Sequence, residues 1–173
     1  ISALLVKDAT SGLRVVRLKG GDPFIFGRGG EEIEALSQEK IPFEIVPGIT
    51  AALGGAAYAG IPLTHRDWAQ SVRFVSGHLK GGLTNVDWPE LANPNQTLVI
   101  YMGLSVITEL TSSLIKAGLN VNTPVAVISR ATMRDQEICI SDLAEIADEV
   151  TKAKLAGPST IIIGKVVSFA SDI

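Results

Sequence analysis

Apolar residues fall into two kinds of run along this chain, and each kind predicts one type of element. Short runs rich in Val and Ile, bounded by Gly, Pro, Asn or Ser, are typical of strands buried in a sheet. They predict strands over residues 13–18, 43–46, 71–76, 97–101, 124–129, 136–140 and 159–163. The segments 124–129 and 136–140 are predicted to pair as a hairpin.

Other stretches repeat apolar residues three and four positions apart, which predicts helices with one buried face. The predicted helices cover residues 1–9, 31–40, 51–59 and 107–117, the last ended by Gly118. A further helix is predicted after Ser141, a good N-cap, with Leu143, Ile146 and Val150 on its apolar face.

Strands and helices alternate, with one hairpin, so the predicted fold class is α/β, built as two units with mostly parallel and mixed sheets. The segment PLTHRDW, residues 62–68, is polar and rich in turn formers, and it marks the predicted junction. The domains are therefore predicted as 1–66 and 67–173. The chain starts at Ile1 already in a helical pattern, so it is interpreted as a fragment whose first domain is incomplete.

The stretch LKGGDPFIFGRGGEE, residues 18–32, lies where a predicted strand gives way to a helix. In an open α/β sheet ligands bind beyond the carboxyl ends of strands, and glycine lets a ligand approach the backbone. The spacing matches neither G-x-G-x-x-G nor the G-x-x-x-x-G-K-[ST] phosphate loop. A tight turn before an ordinary helix explains the glycines equally well.

The predicted helix 51–59 consists almost wholly of small residues. Such a helix allows close approach of either a sheet or a bound molecule. From the pattern alone, tight helix–sheet packing and ligand contact are equally good explanations.

Composition narrows the class of function. With 173 residues, 46% of them hydrophobic, the chain can bury a core, and a net charge of −3 argues against general affinity for nucleic acid or anionic membrane. A single cysteine, Cys139, excludes an internal disulfide and fits a reducing cytosol. Two histidines and one cysteine provide no recognisable metal-ligand cluster, so no metal is expected, and no run reaches membrane-span length.

Long motifs carry a resemblance to a known family. The stretch 18–32 together with VPGITAALGGAAYAGIPLTHR (46–66), HRDWAQSVRFVSGHLK (65–80) and YMGL (101–104) resembles the tetrapyrrole methylases, which use S-adenosylmethionine. Within that family it is most similar to the members that methylate uroporphyrinogen III. The resemblance implies two α/β domains with the cofactor in the cleft between them, a cytoplasmic homodimer, and C-methylation of uroporphyrinogen III to precorrin-2.

The family's cofactor contacts carry over by motif. They correspond to Gly20, Gly21, Asp22, Ile25, Thr50, Ala51, Met102 and Ala131. Relatives often have glycine at the last of these. For Met102, a core position after a strand is the structural alternative.

A polycarboxylated substrate calls for cations at the cleft. The candidates are Arg28, His65, Arg66 and Arg73, although a solvated arginine or a histidine at a hinge is a simpler explanation of each. The family's positions linked to proton handling are expected upstream of Ile1, so the fragment alone is expected to be inactive.

Three alternatives stay open at this point. One is a precorrin methylase acting at another ring position, and a second is a relative that methylates protein or ribosomal RNA. The third is a non-catalytic nucleotide-binding or dimerisation module.

Overall fold

The computed structural model describes residues 1–78 and 86–172. The contacts divide the chain into two compact units, Ile1–Thr50 and Ala51–Ile173. This division lies earlier in the chain than the predicted junction at 62–68, and the domain boundary at residue 66 stays a prediction. No helix in the described residues is long and apolar enough to cross a membrane.

The first unit contains two helices, α1 (Ser2–Thr10) and α2 (Gly29–Gln38), which confirm the predicted ones. The strands predicted over 13–18 and 43–46 are wrong, because neither segment forms a ladder in the structure. A strand exists only through hydrogen bonds to a neighbouring strand. Their apolar side chains accordingly stand in solvent, with Val16 82% and Leu18 85% exposed.

The second unit contains the sheet and its covering helices. Its helices are α3 (Ala51–Tyr58), α4 (Trp88–Leu91), α5 (Ile107–Lys116) and α6 (Ile146–Lys152), with 3₁₀ turns at Leu104–Val106 and Lys165–Asp172. Its strands are β1 (Ser71–Ser76), β2 (Gln96–Tyr101), β3 (Pro124–Ser129), β4 (Glu137–Asp142) and β5 (Ser159–Ile163). The five corresponding strand predictions are confirmed to within about two residues.

The sheet has the order β1-β2-β5-β3-β4. Strand β1 is parallel to β2, whereas β5 is antiparallel to both of its neighbours and β3 and β4 form the predicted hairpin. The sheet of this unit is therefore mixed, which confirms the prediction of a mixed sheet, because β5 inserts antiparallel between β2 and β3. All six residues of β2 are buried, and two of them, Leu98 and Ile100, pack with residues of α5, α6 and β5 into one core.

Two local predictions need correction. Helix α6 begins at Ile146 with Glu145 as its N-cap. Ser141 does not cap it, because Ser141 lies in β4 and pairs with Val125 of β3. Between β1 and β2, where no helix is predicted, the structure contains the short helix α4. Residues 79–85, including the end of the motif 65–80, lie outside the described residues. Cys139 lies in β4 and packs against the core, where burial raises the pKa of its thiol.

Candidate functional site

Three strands of the second unit end at one edge of the sheet. Because β2 and β3 are each antiparallel to β5, they run in the same direction as one another, and β1 is parallel to β2. Gly77, Met102 and Ala131 therefore follow strands that finish at a common edge. This is the edge at which open α/β sheets bind ligands.

The loops after β1 and β2 touch through their backbones. The Gly77 N–H donates to the Tyr101 carbonyl at 2.7 Å, and a Cβ on Gly77 would lie 2.6 Å from the Gly103 Cα. A Cβ on Gly103 would lie 2.7 Å from Ile100 Cγ2. Only glycine fits at these two positions, so the motif YMGL owes its glycine to close packing.

Met102 adopts a left-handed backbone with φ 54°, which is uncommon for a residue with a side chain. It follows the fully buried strand β2, yet 49% of it is exposed. The alternative that Met102 is a core residue is therefore wrong. Its side chain stands at the sheet edge with apolar surface available to a ligand.

Helix α3 packs against the same edge. The Ala52 N–H at its first turn donates to the Tyr101 hydroxyl at 2.9 Å, and a Cβ on Gly55 would lie 3.2 Å from the Ala131 Cβ. Small residues thus do serve tight packing at Gly55. Through these contacts the start of α3, with Ala51, is brought together with the segments that hold Met102 and Ala131.

In the first unit, Gly20, Gly21 and Asp22 lie in a bend, the glycine turn, that packs against Gly48. Gly48 lies against the Gly21 carbonyl so closely that a Cβ there would overlap it. The Asp22 carboxylate accepts the Phe24 N–H at 2.9 Å and the Gly48 N–H at 3.4 Å. The Asp22 carboxylate therefore stabilises the local backbone. Gly20 lies in open space, since a Cβ there would meet nothing within 4 Å.

The remaining predicted contacts of the first unit differ in exposure. Ile25 is half-buried beside the turn, and Thr50 is buried with 5% of its surface exposed. A buried Thr50 and an exposed Gly20 are not equivalent ligand positions.

An ion-pair cluster that sequence reasoning missed holds the segment before Gly20. Arg17 Nε and Lys19 Nζ lie 3.0 Å and 2.9 Å from the two carboxylate oxygens of Glu32, whose side chain is 12% exposed. The hydrogen bond from Lys19, followed by that from Arg17, holds the pKa of Glu32 below its ordinary value despite partial burial. The glycine turn is thereby fixed to helix α2.

The substrate candidates are held by different partners. Arg28, at φ 58°, pairs with Glu31 at 3.1 Å, and Arg73 pairs with Glu90 at 2.5 Å. The hydrogen bond that Arg73 donates to the Glu90 carboxylate raises the pKa of Arg73, and Arg66 is exposed. A carboxylated substrate would have to displace the acids beside Arg28 and Arg73.

His65 is the most constrained of the candidates. Its ring lies 4.8 Å from Trp68 and 5.2 Å from Phe169, measured between ring centroids. Its Nδ1 accepts the Asp67 N–H at 3.2 Å. These contacts favour the explanation that His65 fixes the turn before β1.

A separate cavity of about 290 Å³ opens at the opposite edge of the sheet, where β2 and β3 begin. Gln96, Thr123, Pro124 and Gly164 contribute to its wall. Because none of the predicted site residues lines it, this cavity is not the candidate site.

Comparison with known proteins decides the family. The model of the family "Tetrapyrrole (Corrin/Porphyrin) Methylases" matches residues 1–147. The chain belongs to the tetrapyrrole methylases. Its α/β architecture and the family that the motifs resembled are thereby confirmed.

Two relatives of this tetrapyrrole methylase are named siroheme synthase. The one from Nitrosomonas europaea is 57% identical over 167 residues, covering 96% of this chain and 35% of the relative. The one from Hahella chejuensis is 54% identical over 168 residues, covering 97% and 36%. The chain thus spans about a third of the length of these relatives.

Two solved structures have a similar fold. Uroporphyrin-III C-methyl transferase from Thermus thermophilus, complexed with S-adenyl homocysteine, has a TM-score of 0.83 and 37% identity, over 96% of this chain and 73% of that one. Cobalt precorrin-4 methyltransferase has a TM-score of 0.87 and 25% identity, over 96% and 70%.

Sequence reasoning also missed Tyr101 as a contributor to this edge. The signal was a tyrosine at the end of a predicted buried strand, since a buried tyrosine hydroxyl usually requires a hydrogen-bond partner.

Proposed function

We propose that this tetrapyrrole methylase chain carries the cofactor-binding part of an S-adenosylmethionine-dependent uroporphyrinogen-III C-methyltransferase, whose product is precorrin-2. The observation that carries the proposal is the edge where the start of α3, the Met102 loop and the Ala131 segment are held together by Tyr101 and Gly55. Two relatives support it: the siroheme synthase of Nitrosomonas europaea, which is 57% identical, and the Thermus thermophilus enzyme, whose structure is complexed with S-adenyl homocysteine.

The residues fit a cofactor with an adenosine and an amino-acid tail. Half-exposed Met102 offers apolar surface to an adenine ring, and exposed Gly20 offers bare backbone to polar groups. The full proposed set of cofactor contacts is Gly20, Gly21, Asp22, Ile25, Thr50, Ala51, Met102 and Ala131. Within it Asp22 orients the glycine turn through its two backbone hydrogen bonds.

Methyl transfer from a sulfonium requires an aligned acceptor and a dry site more than a nucleophilic side chain. S-adenosylmethionine, when bound, supplies an electrophilic methyl group. The task of this chain's residues is to bind and orient, which backbone-lined turns can do. The proton that leaves the methylated pyrrole carbon requires a base, and the expectation that this base lies upstream of Ile1 stays a prediction.

Substrate recognition is proposed for Arg28, His65, Arg66 and Arg73. Exposed Arg66 is the strongest of them, because Arg28 and Arg73 already pair with Glu31 and Glu90. His65 is held by Trp68 and Phe169, so it contributes through the shape of the turn.

The setting of the whole protein is also part of the proposal. We expect a cytoplasmic homodimer in siroheme or cobalamin biosynthesis, acting on a small tetrapyrrole and on neither nucleic acid nor membrane. The net charge of −3 supports the exclusion of nucleic acid.

Calorimetry with S-adenosylhomocysteine tests the cofactor part of the proposal. We expect saturable one-to-one binding in the micromolar range, weakened by Met102→Ala. Met133→Ala is a matched control, since Met133 is also exposed but lies outside the proposed set. Absence of binding by the intact protein that carries this chain would leave only the non-catalytic module.

Turnover tests the substrate part. The intact protein, given uroporphyrinogen III and S-adenosylmethionine, should yield a dimethylated product whose methyl positions are read by NMR. The similarity to cobalt precorrin-4 methyltransferase makes methylation of another precorrin at another ring position the second candidate. Turnover of a later precorrin but not of uroporphyrinogen III would favour that candidate.

A further inference from the structure

We infer that Tyr101 is a positioning residue for the cofactor: its hydroxyl fixes the first turn of α3 to the Met102 loop. This inference rests on the proposed function, and it adds a residue outside the proposed set of contacts. It starts from the hydrogen bond that the Ala52 N–H donates to the Tyr101 hydroxyl at 2.9 Å.

The Ala52 N–H belongs to the first turn of a helix, where amides have no acceptor within the helix itself. Ala52 is fully buried, so water does not supply that acceptor. A buried amide without an acceptor is costly. The Tyr101 hydroxyl therefore acts as a cap for α3, delivered from a strand 49 residues away in sequence.

Tyr101 is itself held firmly. It is the last residue of β2 and pairs with Ser76 of β1 on one side and Thr160 of β5 on the other. Its carbonyl accepts the Gly77 N–H at 2.7 Å, and its ring meets Phe74 edge-on at 6.1 Å between centroids. These contacts fix the position of the hydroxyl, and the hydroxyl in turn fixes the first turn of α3.

The residues on either side explain why this bond bears on the cofactor. Ala51 precedes Ala52, and Met102 follows Tyr101 with φ 54°. One hydrogen bond therefore couples two proposed cofactor contacts from distant parts of the sequence. Removing the hydroxyl frees the start of α3 relative to Met102, so the two contacts are no longer held in register.

The test compares Tyr101→Phe with Gln96→Met in the intact protein. Gln96 lies at the other end of β2, is 8% exposed, and donates through Nε2 to the Leu91 carbonyl at 2.8 Å. Each variant removes the side-chain group that makes a buried hydrogen bond from the same strand. Both should lower the midpoint of thermal unfolding by a similar amount.

Only Tyr101→Phe should change cofactor binding. We expect the Kd for S-adenosylhomocysteine to rise about tenfold, the range of a lost buried hydrogen bond, against less than about twofold for Gln96→Met. The KM for S-adenosylmethionine should rise with it, while the KM for the tetrapyrrole stays unchanged. A Tyr101→3-fluorotyrosine protein keeps the fold but weakens the acceptor, and its Kd should fall between wild type and Tyr101→Phe.

Equal Kd values for Tyr101→Phe and Gln96→Met would overturn this inference but leave the proposed function standing. If Tyr101→Phe does not fold, equal Kd values for Tyr101→3-fluorotyrosine and wild type would have the same consequence. Wild-type protein that binds no S-adenosylhomocysteine would overturn the proposed function and this inference with it.

Discussion

The segment 97–101 in β2 and the segment 13–18 in the first unit have similar sequences but opposite surroundings. Both are short and rich in branched aliphatic residues. Every residue of β2 is buried between β1 and β5, whereas Leu13, Val16 and Leu18 are 62%, 82% and 85% exposed. An apolar run therefore favours a buried strand, and the strand forms only where neighbouring strands are available to pair with it.

The largest effect is expected when one apolar side chain is shortened to alanine in each unit. Ile161→Ala, fully buried in the central strand β5, should lower the free energy of unfolding by about 3 kcal/mol because it leaves a cavity. Val16→Ala should change it by less than about 0.5 kcal/mol, since the side chain is in solvent. Urea denaturation measures both, and a large loss at Val16 would contradict its exposure in the structure.

Gly103→Ala tests whether the second unit depends on backbone contact as well as on side chains. The added methyl would lie 2.7 Å from Ile100 Cγ2 and 3.0 Å from Ile161 Cδ1, so one of these neighbours must move. Overpacking of this kind costs about 2 kcal/mol. The free energy of unfolding should fall, and the Kd for S-adenosylhomocysteine should rise. A variant with wild-type stability would mean that the loop after β2 is looser than described.

Glu32→Gln tests the polar contacts that hold the first unit. Losing the pairs with Arg17 and Lys19 should lower the free energy of unfolding by about 1 kcal/mol. Because the pKa of Glu32 is lower in the folded protein, its contribution is present above the ordinary value of 4.5 and is lost as the pH falls through the folded value. The difference between variant and wild type should therefore vanish in acid.

Glu31→Gln is the matched control for that experiment. Glu31 pairs with Arg28 on an exposed face, so its loss should matter less than that of Glu32. A larger effect at Glu31, or a gap between Glu32→Gln and wild type that persists in acid, would contradict the assignment.

The smallest effect on stability is expected at Gly20. An added Cβ meets nothing within 4 Å, so Gly20→Ala should leave unfolding within about 0.5 kcal/mol of wild type. As a proposed cofactor contact, it should still weaken S-adenosylhomocysteine binding about fivefold, because the methyl blocks approach to the backbone. Gly30→Ala, equally open but outside the proposed set, should leave affinity unchanged. Equal affinities for the two variants would remove Gly20 from the site.

Sequence alone determined the five strands and the helices α3 and α5 of the second unit, and it indicated the family. Strands such as β2 and β5 and helix α5 followed from the sequence because the spacing of apolar residues is a local property of it. Long motifs such as residues 46–66 carried the resemblance to the tetrapyrrole methylases. Proposed contacts such as Met102 came from those motifs.

Only the tertiary structure decided which of these elements meet. It inserted β5 antiparallel between β2 and β3, left 13–18 and 43–46 without partners, and turned Ser141 from a helix cap into a strand residue. It also joined Tyr101 to Ala52 and Lys19 to Glu32. Pairing and capping across a fold depend on distances between residues remote in sequence, and periodicity carries no information about those distances.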